Sequence, residues 1–213
     1  MSTRRNQRAL SVIRSLRRRQ YKQNQQIGVL CQDMVQAHGE FSRKISRLSF
    51  VTAFYEALLS ASNIESLLDT AAAAISTRIS EVNVAIFVLE KNGFDIHCVK
   101  NPESSPVSLE QIESWFTARS ARDISLSGQV CSVNRMLALG MIANPKHLKE
   151  ISVAAVPLGT LGQASGFVML WRGADRPFSK GELETVVSVS SGLRGAMESF
   201  SKTDAAAVKT VGE

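Results

Sequence analysis

From Thr3 to Ser60 the chain contains no proline, and its two glycines there, Gly28 and Gly39, stand alone. Alternating steps of four and three residues join Ile13, Arg17, Gln20, Asn24, Ile27, Cys31, Met34, His38, Phe41, Ile45, Leu48, Thr52, Tyr55 and Leu59. That spacing is a heptad repeat, the pattern of a helix that buries one stripe against another helix. A continuous helix of about 55 residues would be about 80 Å long, too long to bury its stripe on a domain built from the remaining residues. The natural reading of residues 1–60 is therefore a parallel two-stranded coiled coil. Asn24, Ile27, Met34, Phe41, Ile45 and Leu48 are the expected dimerisation residues. A buried Asn at an a position favours an in-register pair at some cost in stability. The polar seam residues Arg17 and Gln20 predict fraying towards the start. His38 reads as a tolerated seam residue. Each glycine weakens the helix by about 1 kcal/mol relative to alanine, so a joint there is expected.

Charge separates this segment from the rest. Residues 1–48 hold eleven Lys/Arg against Asp33 and Glu40. The remainder holds fourteen against seventeen acids, so the formal +6 of the whole chain belongs to the helix. The run Arg4, Arg5, Arg8, Arg14, Arg17, Arg18, Arg19 and Lys22 suits a solvated helix end, or contact with an acidic protein surface, anionic lipid or nucleic acid. No base-reading motif accompanies it, and 6% aromatic residues is thin for base stacking. The same Arg-rich start fits an organellar leader, but the helical pattern runs on past it unbroken. The cysteines, Cys31, Cys98 and Cys131, are odd in number and widely spaced, which fits neither a disulfide framework nor a zinc site. With no long apolar run, a cytoplasmic protein with reduced thiols is expected.

Residues 61–200 read as an α+β domain, with 201–213 a flexible tail. Ser62-x-x-Glu65 is a capping-box signature before an amphipathic helix. "VNVAIFVLE" and "FDIHCVK", joined by "KNG", predict an antiparallel hairpin. Ser108-x-x-Gln111 predicts a short helix. The stretch 120–150 is least regular; a short strand near 123–131, a helical turn and a loop through Asn144-Pro145 are expected. "ISVAAVPL" and "SGFVMLWR" are two further strands, and Ser179-x-x-Glu182 caps a last helix ending near Phe200. Strands joined by short turns give an antiparallel sheet with helices from both ends on one face. The 108–147 segment is left to cover the other face.

The stretch "VPLGTLGQASGFVMLWRGADRPFSKGELE", with "IESLLDTAAAAI" and "VNVAIFVLEKNG" before it, resembles the GAF domain family over residues 60–200. The resemblance implies an antiparallel sheet between a helix layer and a pocket-covering layer. It also implies a regulatory module that binds a small ligand (cyclic nucleotide, metabolite or chromophore) or serves only to dimerise.

A pocket beneath the 108–147 cover would draw on Phe87, Leu89, His97, Trp115, Cys131, Arg135 and Trp171, against the plainer alternative that most are core. The resemblance extends to GAF-like reductases of free methionine sulfoxide. Cys98 and Cys131 could approach one another, but their flanking residues do not match that family's motifs. No bilin-attachment pair is recognisable. "RGADR" and "RSARD" are short arginine-containing stretches without the rest of any binding motif. No paired carboxylates, Ser/His/Asp set, phosphate loop or metal set is present. The sequence thus predicts a non-enzymatic homodimeric sensor, its ligand or cofactor unknown, that signals through a separate partner protein. The alternative is an adaptor with an empty GAF-like fold that docks by its basic helix.

Overall fold

The computed structural model describes residues 2–91, 93–99, 107–159 and 162–210, with side chains from Arg17 to Phe200 within those spans except Val99. The loop expected over 101–106, residues 211–213 and the side chains of Arg4, Arg5, Arg8, Ile13 and Arg14 lie outside that description. The chain divides into two compact units, Met1–Ser49 and Phe50–Glu213.

Helix α1 runs from Ser2 to Leu59 and has neither an acid in its first turn nor a base in its last. In the first unit, Ile27, Met34, Phe41, Ile45 and Leu48 are 52–74% exposed, so this single chain leaves the heptad stripe uncovered. Asn24 is exposed as well. Tyr21, Val29, Leu30 and Val35 widen the apolar surface beyond the stripe.

The second unit opens on the last turns of α1, whose Phe54 and Leu58 are buried in its core. Helix α2 (Ile64–Arg78) follows. Its cap is not the expected Ser62 box: the Asn63 side chain accepts from the Ser66 N–H at 2.7 Å. Asn63 has the extended backbone an N-cap needs, so it takes the orphan amide one residue later. Leu67, Leu68, Ala71, Ala72 and Ile75 recur at helical spacing and are buried.

Strands β1 (Asn83–Leu89) and β2 (Phe94–Val99) form the expected hairpin. Helices α3 (Leu109–Glu113) and α4 (Ala118–Leu126) follow, then β3 (Cys131–Ser132), α5 (Val133–Ala138) and α6 (Pro145–Glu150). Strands β4 (Ile151–Pro157) and β5 (Gly166–Gly173) precede α7 (Lys180–Thr210). The sheet order is β2-β1-β5-β4-β3, every neighbour antiparallel. This is the α+β architecture expected.

The irregular middle is more helical than its pattern implied. A short strand is expected near 123–131, but Thr117 and Ser120 cap each other reciprocally and start α4, which runs to Leu126. Ala121, Ile124 and Ser125 then share its buried face, and only two residues of strand remain, at Cys131 and Ser132. The loop expected at Asn144-Pro145 is instead a helix start. Asn144 accepts from the Lys146 N–H at 2.9 Å, and Pro145 sits where a helix needs no N–H. At the other end, α7 continues beyond Phe200 to Thr210.

Strand alternation sorts the core into two layers. Val84, Ile86, Val156, Val168 and Leu170 face α2, α7 and the end of α1. Ala85, Phe87, Val153, Phe167, Met169 and Trp171 face the cover of α3, α4 and α5, with Ile112, Trp115, Phe116, Ile124 and Met136. The 108–147 segment thus covers the second face, as expected. Close backbone approach fixes the β4–β5 connection. A Cβ on Gly166, whose φ is +151°, would collide with the Phe87 carbonyl. The Gly166 N–H donates to Ser125 Oγ at 3.0 Å, tying that connection to α4.

Candidate functional site

The seven predicted pocket residues do not converge. Phe87, Trp115, Cys131 and Trp171 lie on the covered face and are at most 4% exposed. Leu89 packs at the edge of that cluster. His97 does not join them. Ile96 and Cys98 pack on the covered face, so period-two alternation turns His97 to the opposite side, where Nε2 lies 3.3 Å from Asp95. Arg135 is exposed and donates to the Gln129 side chain at 2.9 Å.

Under the cover, aromatic side chains pack against one another. Phe87 stacks on Phe167 at 4.4 Å and meets Phe116 edge-on at 5.2 Å. A ligand pocket needs space and a few convergent polar groups. Here Ser125 Oγ is engaged by Gly166, and Cys131 Sγ lies 3.2 Å from Ser127 Oγ. The buried indole N–H of Trp171 has no hydrogen-bond partner among the described residues. The four buried candidates therefore read as core.

The expectation that Cys98 and Cys131 could approach also fails. Cys98 is on β2 and Cys131 on β3, the opposite edges of a five-stranded sheet. Four interstrand spacings put them roughly 19 Å apart. Thiols at that distance cannot exchange a disulfide without backbone movement. Among the described residues no three of His, Cys, Asp and Glu gather to hold a metal, and no helix is long and apolar enough to cross a membrane.

Two polar groupings stand out. The first explains "RGADR". Arg172 at the end of β5 is 6% exposed and is held on all sides. Its guanidinium donates to the carbonyls of Arg176, Ser80 and Pro177 at 2.7, 3.2 and 3.2 Å. It also meets both Glu182 carboxylate oxygens at 3.0 Å and lies 4.4 Å over the Phe178 ring. Burial pushes the Glu182 carboxyl up, but the Arg172 hydrogen bond and the Ser179 N–H and hydroxyl outweigh it and hold the group below its ordinary value. With every donor direction used inward, this is a structural staple between sheet and last helix. Sequence alone could not show it, because its partners are mostly backbone carbonyls.

The second grouping is an open concavity of about 310 Å³ at the end of the β1–β2 hairpin. It is lined by Leu89, Glu90, Lys91, Gly93, Ala118, Arg119 and Arg122. Sequence reasoning noted "RSARD" but missed its meeting with Lys91, since only the tertiary fold brings 91 and 119–122 together.

No family model and no curated protein matches the chain. Solved structures do. The GAF domain of a phosphoenolpyruvate-protein phosphotransferase from Coxiella burnetii is similar at a TM-score of 0.57 and 12% identity, over 76% of this chain and 98% of that one. The GAF domain of an Acinetobacter phosphoenolpyruvate-protein phosphotransferase gives 0.52 and 15%, over 75% and 97%. A GAF domain/HD domain protein from Geobacter sulfurreducens gives 0.52 and 16%, over 68% and 97%. At such identities the likeness carries the fold: the sheet and its two layers are those of a GAF-like domain.

Proposed function

We propose that this chain is a regulatory module, a GAF-type sensory domain that dimerises through helix α1 and signals to a separate protein. The carrying observation is the uncovered stripe Ile27, Met34, Phe41, Ile45 and Leu48 at heptad spacing. Leaving five large apolar side chains in water is costly, and pairing with a second copy in register buries them all. Asn24 at an a position supplies a reason for in-register pairing. The three free cysteines suit a reducing, cytoplasmic setting. Output through helix packing needs no catalytic group on the chain, consistent with a non-enzymatic role.

Sedimentation of the full chain at micromolar concentration tests this. A dimer that dissociates in the Met34→Glu/Phe41→Glu variant supports it; a wild-type monomer overturns it. The filled aromatic face favours a second reading, in which the fold serves association without any ligand beneath its cover, and α1 docks an acidic surface by Arg17, Arg18, Arg19 and Lys22. Replacing those four by Gln would then abolish docking while the dimer persists.

A further inference from the structure

We infer that the concavity beside the β1–β2 hairpin is a binding site for a small hydroxylated organic phosphate. It lies outside the packed aromatic layer, so it needs no opening of the core. Among the described residues three cations line it, Lys91 from the hairpin and Arg119 and Arg122 from the first turns of α4. Among the described residues one acid, Glu90, lines it with them. Residues 49–213 carry a net charge of −3, so a local excess of cations there runs against the composition.

The cations are available. Among the described residues neither the Lys91 nor the Arg122 side chain has a hydrogen-bond or ion-pair partner, and Arg122 is exposed. The Arg119 contact with Asp123 is long, at 3.9 Å, and the Arg119 side chain is 93% exposed. Two guanidinium forks match phosphate geometry, and a lysine adds a point charge. Ala118 and Arg119 also open a nine-residue helix; the Thr117 hydroxyl caps the Ser120 amide, and the Ala118 and Arg119 amides before it lack intrahelical acceptors and favour an anion. The volume, about 310 Å³, suits a small metabolite rather than a bare ion. Leu89 and Ala118 supply apolar wall, and the Glu90 carboxylate can accept from a hydroxyl. These features together select an organic phosphate bearing hydroxyl groups. The site stands whether or not the chain dimerises.

Calorimetry on the full-length protein tests the inference with three probes: inorganic phosphate, glucose 6-phosphate and adenosine 5′-monophosphate. At least one organic phosphate should bind saturably with Kd of about 0.1–1 mM. Arg119→Gln/Arg122→Gln should weaken it at least tenfold. Lys180→Gln, and a triple Gln replacement of Arg17, Arg18 and Arg19, should leave it unchanged. Backbone amide NMR shifts on titration should centre on Gly93 and Ala118, a readout independent of any variant. No saturable binding up to about 10 mM, unchanged affinity in the Arg119/Arg122 variant, or loss only in the helix α1 variant would each overturn the site. Inorganic phosphate binding as tightly as both organic probes would overturn the organic assignment. A monomeric wild-type protein that still binds separates this site from the dimeric reading.

Discussion

Arg172 and Glu182 pair through two contacts of 3.0 Å each, joining the end of β5 to the first turn of α7. Removing the arginine would leave three carbonyls without that donor and the Glu182 carboxylate with only the Ser179 N–H and hydroxyl. Breaking a buried ion pair from one side costs about 3–5 kcal/mol. Arg172→Met should lower stability by that order in urea denaturation, whereas Arg176→Met should cost about 1 kcal/mol or less, because its ion pair with Glu81 is half-exposed on both sides.

The same pair sets an acid dependence. The folded Glu182 carboxyl lies below its ordinary value of 4.5. Its contribution is therefore full above that value and is lost as pH falls through the folded value. Glu182→Gln should be clearly less stable than wild type at pH 7, and the difference should shrink on acidification below about pH 4.5. A difference independent of pH between 3 and 7 would remove the electrostatic account.

Glycines here divide by what surrounds them. At Gly166 a side chain would meet the Phe87 backbone at a φ of +151°, and backbone cannot move aside cheaply. Gly166→Ala should cost at least about 2 kcal/mol. At Gly195, within α7, a Cβ meets nothing within 4 Å. Gly195→Ala should raise stability by up to about 1 kcal/mol through helix propensity. Thermal melts of the two variants decide it.

If the aromatic layer is core, Phe87→Ala should cost about 3–5 kcal/mol and gain no ligand-dependent stabilisation in return. Thermal shift against nucleotides and metabolites checks both halves. A ligand that stabilises wild type but not Phe87→Ala would instead place an occupant beneath the cover.

Opposite sheet edges keep Cys98 and Cys131 apart. Mild oxidation of folded protein should give no intramolecular Cys98–Cys131 disulfide by peptide mass mapping. Finding one in quantity would contradict the strand order.

What the sequence determined by itself was whatever short-range physics encodes. Heptad spacing marked α1, apolar β-rich runs marked β1, β4 and β5, alternation marked β2, and Ser108 and Ser179 marked two helix starts, because each depends on neighbours within one or two turns. Only the tertiary structure decided the rest. It turned His97 away from Phe87, since strand faces acquire meaning only once the layers are placed. It made residues 118–126 a helix where a short strand near 123–131 was expected, because the Thr117–Ser120 cap starts it and its buried face carries Ala121 and Ile124. It gave Arg172 a staple's role through backbone carbonyls that carry no sequence signature. And it gathered Lys91, Arg119 and Arg122 around one concavity, because charges about thirty residues apart meet only when a hairpin and a helix pack side by side.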